Sequence, residues 1–456
     1  MKNKLLFVIT LIALTSYACK PKTQTETSQE QQEEKCTVKH LDWTRNAVIY
    51  EVNVRQYTKE GTFAAFEQHL PRLKELGVDV LWFMPVHPIS EKNRKGPLGS
   101  YYAVRDYKEI NPEFGTKEDF KKLVDKAHEM GFKVILDWVA NHTGCDNAWT
   151  TEHPDWYMKD SLGNIKSPYD WTDTYELNYD NKDMRAAMTD ALKYWIKDFN
   201  IDGYRCDMAH EIPTDFWNDV RKTLDSIKPV FMLAESENYD LLEHAFDANY
   251  SWELMHMMAD VNKGTKSAED ITSYIQKLDT IMCPDAYKML FLTNHDENSW
   301  NGTEFERYGK GVEVFAVLTY TLNGMPMIYT GQEVGLKKRL SFFEKDMVPS
   351  WAENSTTQFY KKLNQLKHTH PALQAGQGGT FKKYNTSANK ELLIYSRERA
   401  GQEIVVMLNL SNKDINYTSN DAIGRGSYTD YFAGVNVPEL PQSLKAWEYK
   451  VFVRPK

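Results

Sequence analysis

The chain of 456 residues is 41% hydrophobic and 26% charged with a formal charge of -9, enough to build a large core in one large and one smaller domain. That acidic balance argues against a nucleic-acid partner, which wants a basic stripe, and disfavours anionic substrates. The 12 Trp, 26 Tyr and 20 Phe serve mainly core packing, with some left to stack on the apolar faces of a ligand.

The N-terminus reads as two lysines, an apolar run from Leu5 to Leu14 and small residues before Cys19. That is a secretion signal too short to span a bilayer. Ser16-Tyr17-Ala18-Cys19 resembles a bacterial lipoprotein signal, so residues 1–18 are expected to be removed and Cys19 to carry the lipid, the one route to a membrane. Residues 19–40 are mostly polar and are expected to form a disordered tether. Export follows, to the periplasm or the cell surface. Cys36, Cys145, Cys206 and Cys283 lack metal-like spacing, leaving two disulfides or four free thiols as equal options.

From Asn46 the chain alternates strand-like and helix-like segments. The strand candidates are AVIYEVNVRQ, VDVLWFMPV, FKVILDWV, IDGYRCD, PVFMLAE, AFDANY, KMLFLTNHD and MPMIYTG, short and apolar. Between them TFAAFEQHLPRLKELG, TKEDFKKLVDKAHEMG and RAAMTDALKYWIKDF carry helical spacing, the first two ending in a glycine stop. Eight such repeats predict an α/β fold, a closed (β/α)8 TIM barrel over residues 41–374, with its site where the strands' C-terminal ends open into loops. A doubly wound open sheet is the alternative, but no GxGxxG follows the first strand. Long insertions follow the second strand and the third, the latter over 141–180, and both are rich in Trp, Tyr, Asp and His. Residues 375–456 alternate like strands without helices and are expected to form an antiparallel β domain.

Polar groups gather at the strand ends, in DWVANH, GYRCDMAHE, MLAES and FLTNHDE. Helix capping explains a single aspartate as well as chemistry does. It does not ask for Arg205 two residues before Asp207 on one side of a strand, nor for His142 and His295 beside Asn141 and Asp296. Cleavage through a sugar oxocarbenium ion does ask for such groups: one carboxylate at the anomeric carbon and one carboxylic acid at the leaving oxygen. Arg205 would keep Asp207 ionised, while burial at the end of an apolar strand would raise Glu235 and keep its proton on. Asp202 belongs to the strand entry and Cys206 to barrel packing.

DWVANH, GYRCDMAH, AE after an apolar strand and TNHD, in this order and spacing, resemble the conserved regions of the α-amylase family, glycoside hydrolase family 13. GSYYAVRDY, NPEFGT and GMPMIYTGQE look like its companion segments. The resemblance implies Asp207 as nucleophile, Glu235 as general acid/base and Asp296 as a third carboxylate that binds sugar hydroxyls. It further implies Tyr102 stacking on the sugar at the cleaved site, and His142, Arg205 and His295 touching substrate or nucleophile. His210 and Glu211 would line the leaving-group side or simply cap a helix. A structural calcium through Asn141 is a further implication, although the segment that often supplies a carboxylate reads YELN, with Glu176 in place of Asp.

The expected activity is retaining hydrolysis of α-1,4-glucosidic bonds in starch-like glucans or malto-oligosaccharides. An α-glucosidase, a cyclomaltodextrinase or neopullulanase-like enzyme, and a transglycosylating enzyme would use the same three carboxylates. A noncatalytic glycan-binding scaffold is the reading from another class. The chain has neither HExxH for a zinc enzyme nor GxSxG for a serine hydrolase.

Overall fold

The computed structural model describes residues 36–454 apart from Gln377 and Arg425, so the signal segment and most of the tether lie outside the described residues. Eight parallel strands close into a barrel in sequence order. They are β1 (Ile49–Val52), β2 (Val80–Phe83), β3 (Lys133–Val139), β4 (Gly203–Asp207), β5 (Phe231–Ala234), β6 (Ala248–Tyr250), β7 (Tyr287–Leu290) and β8 (Gly324–Tyr329). Each falls within one of the eight apolar segments or begins one residue ahead of it. Apart from Lys133 at the start of β3, every residue of these strands is buried, the pattern of a parallel sheet with side chains inside and helices outside.

The helices form the outer layer. Lys117–Glu129 starts with a capping box between Thr116 and Asp119, and Lys182–Asp198 starts with Asn181 accepting from the backbone of Asp183 and Met184. The single helix expected over 62–77 is two, Phe63–Glu67 and Leu70–Leu76. Pro71 has no N–H for the ladder and sits in the first turn of the second helix, where none is needed.

At the entry of β4, Asp202 accepts from the backbone N–H of Val134 at 2.9 Å and from His128 Nε2 at 2.6 Å. Lys228 lies 3.2 Å away. Despite burial these partners hold its carboxyl down to about 2, so it pins β4 to β3 at the end of the barrel far from the loops.

The inserted segment after β3 is a small layer of its own, with His142–Gly144 paired antiparallel to Thr174–Glu176. The C-terminal domain is a six-stranded antiparallel sheet in the order Thr380–Tyr384, Leu392–Arg399, Gln402–Asn409, Tyr449–Val453, Tyr428–Asp430 and Val435–Val437. Alternation gives each face its own core. Leu393, Tyr395, Ile404 and Val406 join the barrel core, whereas Leu392, Ile394, Val405 and Met407 join Tyr428 and Phe452 on the far side.

Residues 36–40, read from sequence as the end of a tether, are instead fastened to the barrel. Cys36 is disulfide-bonded to Cys283, Thr37 N–H donates to Glu243 O at 2.8 Å, and His40 Nδ1 lies 2.9 Å from Asp247 Oδ1. Cys145 and Cys206 are buried thiols, so the cysteines adopt neither of the two arrangements expected. A cross-link between residues 247 apart restricts the unfolded chain strongly. Replacing Cys36 and Cys283 with Ser is expected to cost about 2–4 kcal/mol, read as a lower urea midpoint. An unchanged midpoint would mean that contacts alone hold the arm.

Candidate active site

β4 delivers Arg205 and Asp207 to the same side because side chains two residues apart in a strand share a face. The strand can lie this close to β5 because residue 203 is glycine: a Cβ there would sit 1.9 Å from Phe231 O. Arg205 is fully buried and is surrounded by acids. Its Nη1 lies 2.7 Å from Asp137 Oδ1 and 2.9 Å from Asp207 Oδ1, its Nη2 lies 3.0 Å from Glu235 Oε2, and its Nε donates to the Tyr250 hydroxyl at 3.0 Å. The guanidinium also faces the Trp82 ring, 5.1 Å from its centroid.

Immediately after Asp207 the chain turns at Met208, a non-glycine residue with φ 45° and ψ 41°. A left-handed residue of this kind costs of order 1–3 kcal/mol and is retained where geometry demands it. Here it aims the Met208 N–H at Glu235 Oε2, 2.9 Å away. Oε2 thus accepts from that N–H and faces Arg205 Nη2 at 3.0 Å. Burial pushes Glu235 up to about 7 against the pull of Arg205, with Asp207 and Asp296 adding to the rise. Asp207 is itself pushed up to about 6 by burial, against Arg205 and with Asp137 adding to the rise. Both carboxyls are therefore raised, rather than pushed apart as Arg205 beside Asp207 alone suggests, because burial dominates and the one cation serves three carboxyl groups.

The second centre is His295, beyond the end of β7. Burial alone would strip its proton, but Asp296 and Glu51 outweigh it and hold the ring well above its ordinary range. As an imidazolium it donates from Nδ1 to Glu51 Oε1 at 2.5 Å and from Nε2 to the Tyr102 hydroxyl at 2.8 Å. Tyr102 in turn donates to Asp137 Oδ2 at 3.0 Å. Asp296 Oδ2 lies 3.3 Å from the same His295 Nε2. Burial opposes ionisation of Asp296, yet His295 and then Arg205 bring its carboxyl below the ordinary value, so it faces the site as an anion. A short π-helical turn, Glu297–Asn301, follows it and carries Trp300 to the rim.

These groups line one cavity of about 560 Å³. Asp207, Glu235, Asp296, Tyr102, His142 and His295 all border it, and Arg205 stands directly behind. Burial brings His142 down to about 4, leaving a neutral ring suited to a sugar hydroxyl. His210 is not among the lining residues. It sits partly exposed on the turn Ala209–Glu211, with its Nε2 3.5 Å from Glu211. Asp137 and Glu51 were not marked by sequence reasoning, although an acid inside an apolar strand was a usable signal. Trp171, Trp300, Phe342 and Phe343 complete the apolar wall from loops.

The described residues around Asn141 offer no ready-made acidic cluster. The Asn141 amide meets the His142 ring at 3.4 Å, and the Glu176 carboxylate is already matched by Lys166 Nζ at 2.8 Å. Among the described residues no cluster of three or more His, Cys, Asp or Glu could hold a metal ion.

A family model described as "Alpha amylase, catalytic domain" matches residues 26–176 and 156–372. Alpha-amylase MalA of Haloarcula japonica is 29% identical over 389 residues, which are 81% of this chain and 56% of MalA; the chain thus spans little more than half of that relative. The solved structure of a noncanonic maltogenic alpha-amylase, AmyB from Thermotoga neapolitana, is 29% identical with a TM-score of 0.82, covering 90% of this chain and 98% of that one. An alpha-amylase from Lactobacillus plantarum is 30% identical with a TM-score of 0.81, covering 90% and 99%. Matched along its barrel by the family model and along nearly their full length to these two structures, the chain belongs to the α-amylase family of glycoside hydrolases.

Proposed function

We propose that the protein hydrolyses α-1,4-glucosidic bonds of malto-oligosaccharides or starch-like glucans with retention of configuration. The observation that carries this reading is the sharing of Arg205 between Asp207 and Glu235. A retaining site needs its carboxyls about 5 Å apart, whereas an inverting one leaves about 6.5–9.5 Å for a water. Two carboxylates on the Nη atoms of one guanidinium suit the shorter arrangement.

In the first step Asp207 Oδ attacks the anomeric carbon as the glycosidic bond breaks, and Glu235 Oε1 gives its proton to the departing oxygen. In the second step Glu235 takes a proton from water, the water oxygen bonds to the anomeric carbon and the Asp207 ester bond breaks, restoring both groups. The oxocarbenium-like transition states carry positive charge, which the anionic Asp296 favours while accepting hydrogen bonds from sugar hydroxyls. Tyr102, held by His295 and Asp137, offers a ring face to the reacting sugar.

Export with a lipid anchor at Cys19 accompanies this reading. It rests on the N-terminal pattern, and the Cys36–Cys283 disulfide suits an oxidising compartment. The maltogenic character named for the Thermotoga relative favours short maltodextrins as substrate or product. An α-glucosidase, a cyclomaltodextrinase or a transferase remains the second reading, since each uses the same three carboxylates.

The direct test follows products of amylose, maltotriose, pullulan and panose by NMR and chromatography. New ends formed in the α configuration support the reading. β-Anomers as first products would replace retention by inversion, and binding without turnover would favour a glycan-binding scaffold.

The pH profile carries a second expectation. Asp207 must be ionised, so kcat/KM rises as pH passes about 6, and Glu235 must be protonated, so it falls beyond about 7. Glu235→Gln is expected to remove the alkaline limb. It should cost natural glucans about 10²-fold or more while affecting an aryl glycoside with a good leaving group far less. Equal losses on both would count against Glu235 as the acid.

A further inference from the structure

Resting on the glycosidase reading, we infer that the cavity is closed at one end and receives the free non-reducing end of a glucan, with the Lys95–Asp173 pair as its stop. The loop after β2 runs along one side of the barrel rim and is tied down at both ends. On the side of the inserted segment, Asn93 Nδ2 donates to Thr172 O at 3.2 Å. Lys95 Nζ lies 3.3 Å from Asp173 Oδ1 and 3.5 Å from Asp170 O. On the other side, Leu98 N–H donates to Phe343 O at 3.1 Å in the loop after β8. From below, the buried Arg55 donates to Gly99 O at 3.1 Å and Leu98 O at 3.2 Å. Gly96 makes the seat on Phe343 possible: with φ 63° it is left-handed, and a Cβ there would lie 2.5 Å from Phe343 Cβ.

The barrel order says which end this loop closes. β1 stands between β8 and β2, and β3 is the other neighbour of β2, so a loop from β2 tied both to the β8 loop and to the insertion after β3 stands over β1 and β2. Directly across a ring of eight strands from β1 is β5, at whose end stands Glu235. Glu235 protonates the leaving group, so the leaving group exits on the β5 side and the sugars retained on Asp207 run toward the wall. Lys95 and Asp173 both line the cavity. An ammonium and a carboxylate there can donate to and accept from the hydroxyls of a terminal sugar. An internal sugar carries a glycosidic oxygen and a further ring at its 4-position, and that ring would have to occupy the wall. Sites built to hydrogen-bond a hydroxyl reject analogues lacking it by large factors.

The test compares maltoheptaose with maltoheptaose whose non-reducing end is blocked by a 4,6-O-ethylidene group, using the full protein and chromatographic product analysis. The inference expects the blocked sugar to be cut about 100-fold more slowly or worse. Lys95→Ala with Asp173→Ala is expected to narrow that ratio at least about tenfold and to lengthen the products released. Should the double variant fold poorly, Lys95→Ala alone serves, since that side chain is 34% exposed. Equal rates on the two sugars in the unaltered protein would overturn the closed end. A ratio untouched by both variants would overturn the role of the pair. Turnover of neither sugar would instead remove the glycosidase reading, and this inference with it.

Discussion

One buried cation sets the terms for this site. Arg205 has no exposed surface, and its desolvation is offset by Asp137, Asp207 and Glu235 within 3.0 Å, by the Tyr250 hydroxyl and by aromatic faces. Removing one member of such a cluster leaves an uncompensated charge, which typically costs about 3–5 kcal/mol. The carboxyls come from three neighbouring strands, so the barrel must close with β3, β4 and β5 in register before the cation is satisfied. Fold and chemistry therefore depend on the same contacts.

Around that cation the acids share charge unequally. Glu235, at about 7, keeps its proton most readily; Asp207 and Asp137 lie near 6. Asp296, beside the protonated His295, remains an anion. Glu51 supports that arrangement from β1 on the far side of the His295 ring. Asp207, Glu235 and Asp296 are chemically alike groups made different by burial and by the cations each one faces. The loops then add what the strands cannot, an aromatic lining from Trp171, Trp300, Phe342 and Phe343.

The barrel was readable because parallel strands buried on both faces appear as short continuous apolar runs, and Asp207, Glu235 and Asp296 stand where such runs end. Asp137 and Glu51 escaped notice because they lie within the runs, where an acid looks like an interruption until its partner on another strand is seen. Thr380–Tyr384 gives little apolar signal in sequence because its burial is slight except at Tyr384; its lysines suit a sheet edge. The Cys36–Cys283 pairing could not be chosen from spacing, since the two residues lie 247 apart and are brought together by tertiary structure. His210 shows the opposite limit: adjacency to the catalytic strand in sequence did not put it in the cavity.

The central claim is that Asp207, held by Arg205, forms a covalent bond to the sugar while Glu235 handles the proton. Intact-mass and peptide analysis after mixing with a 5-fluoro-α-glucosyl fluoride, whose intermediate hydrolyses slowly, reads that bond directly. The account predicts one glucosyl-sized adduct on the peptide containing Asp207. An adduct on Glu235 or Asp296, or turnover of the fluoride with no adduct accumulating on any carboxylate, would contradict it.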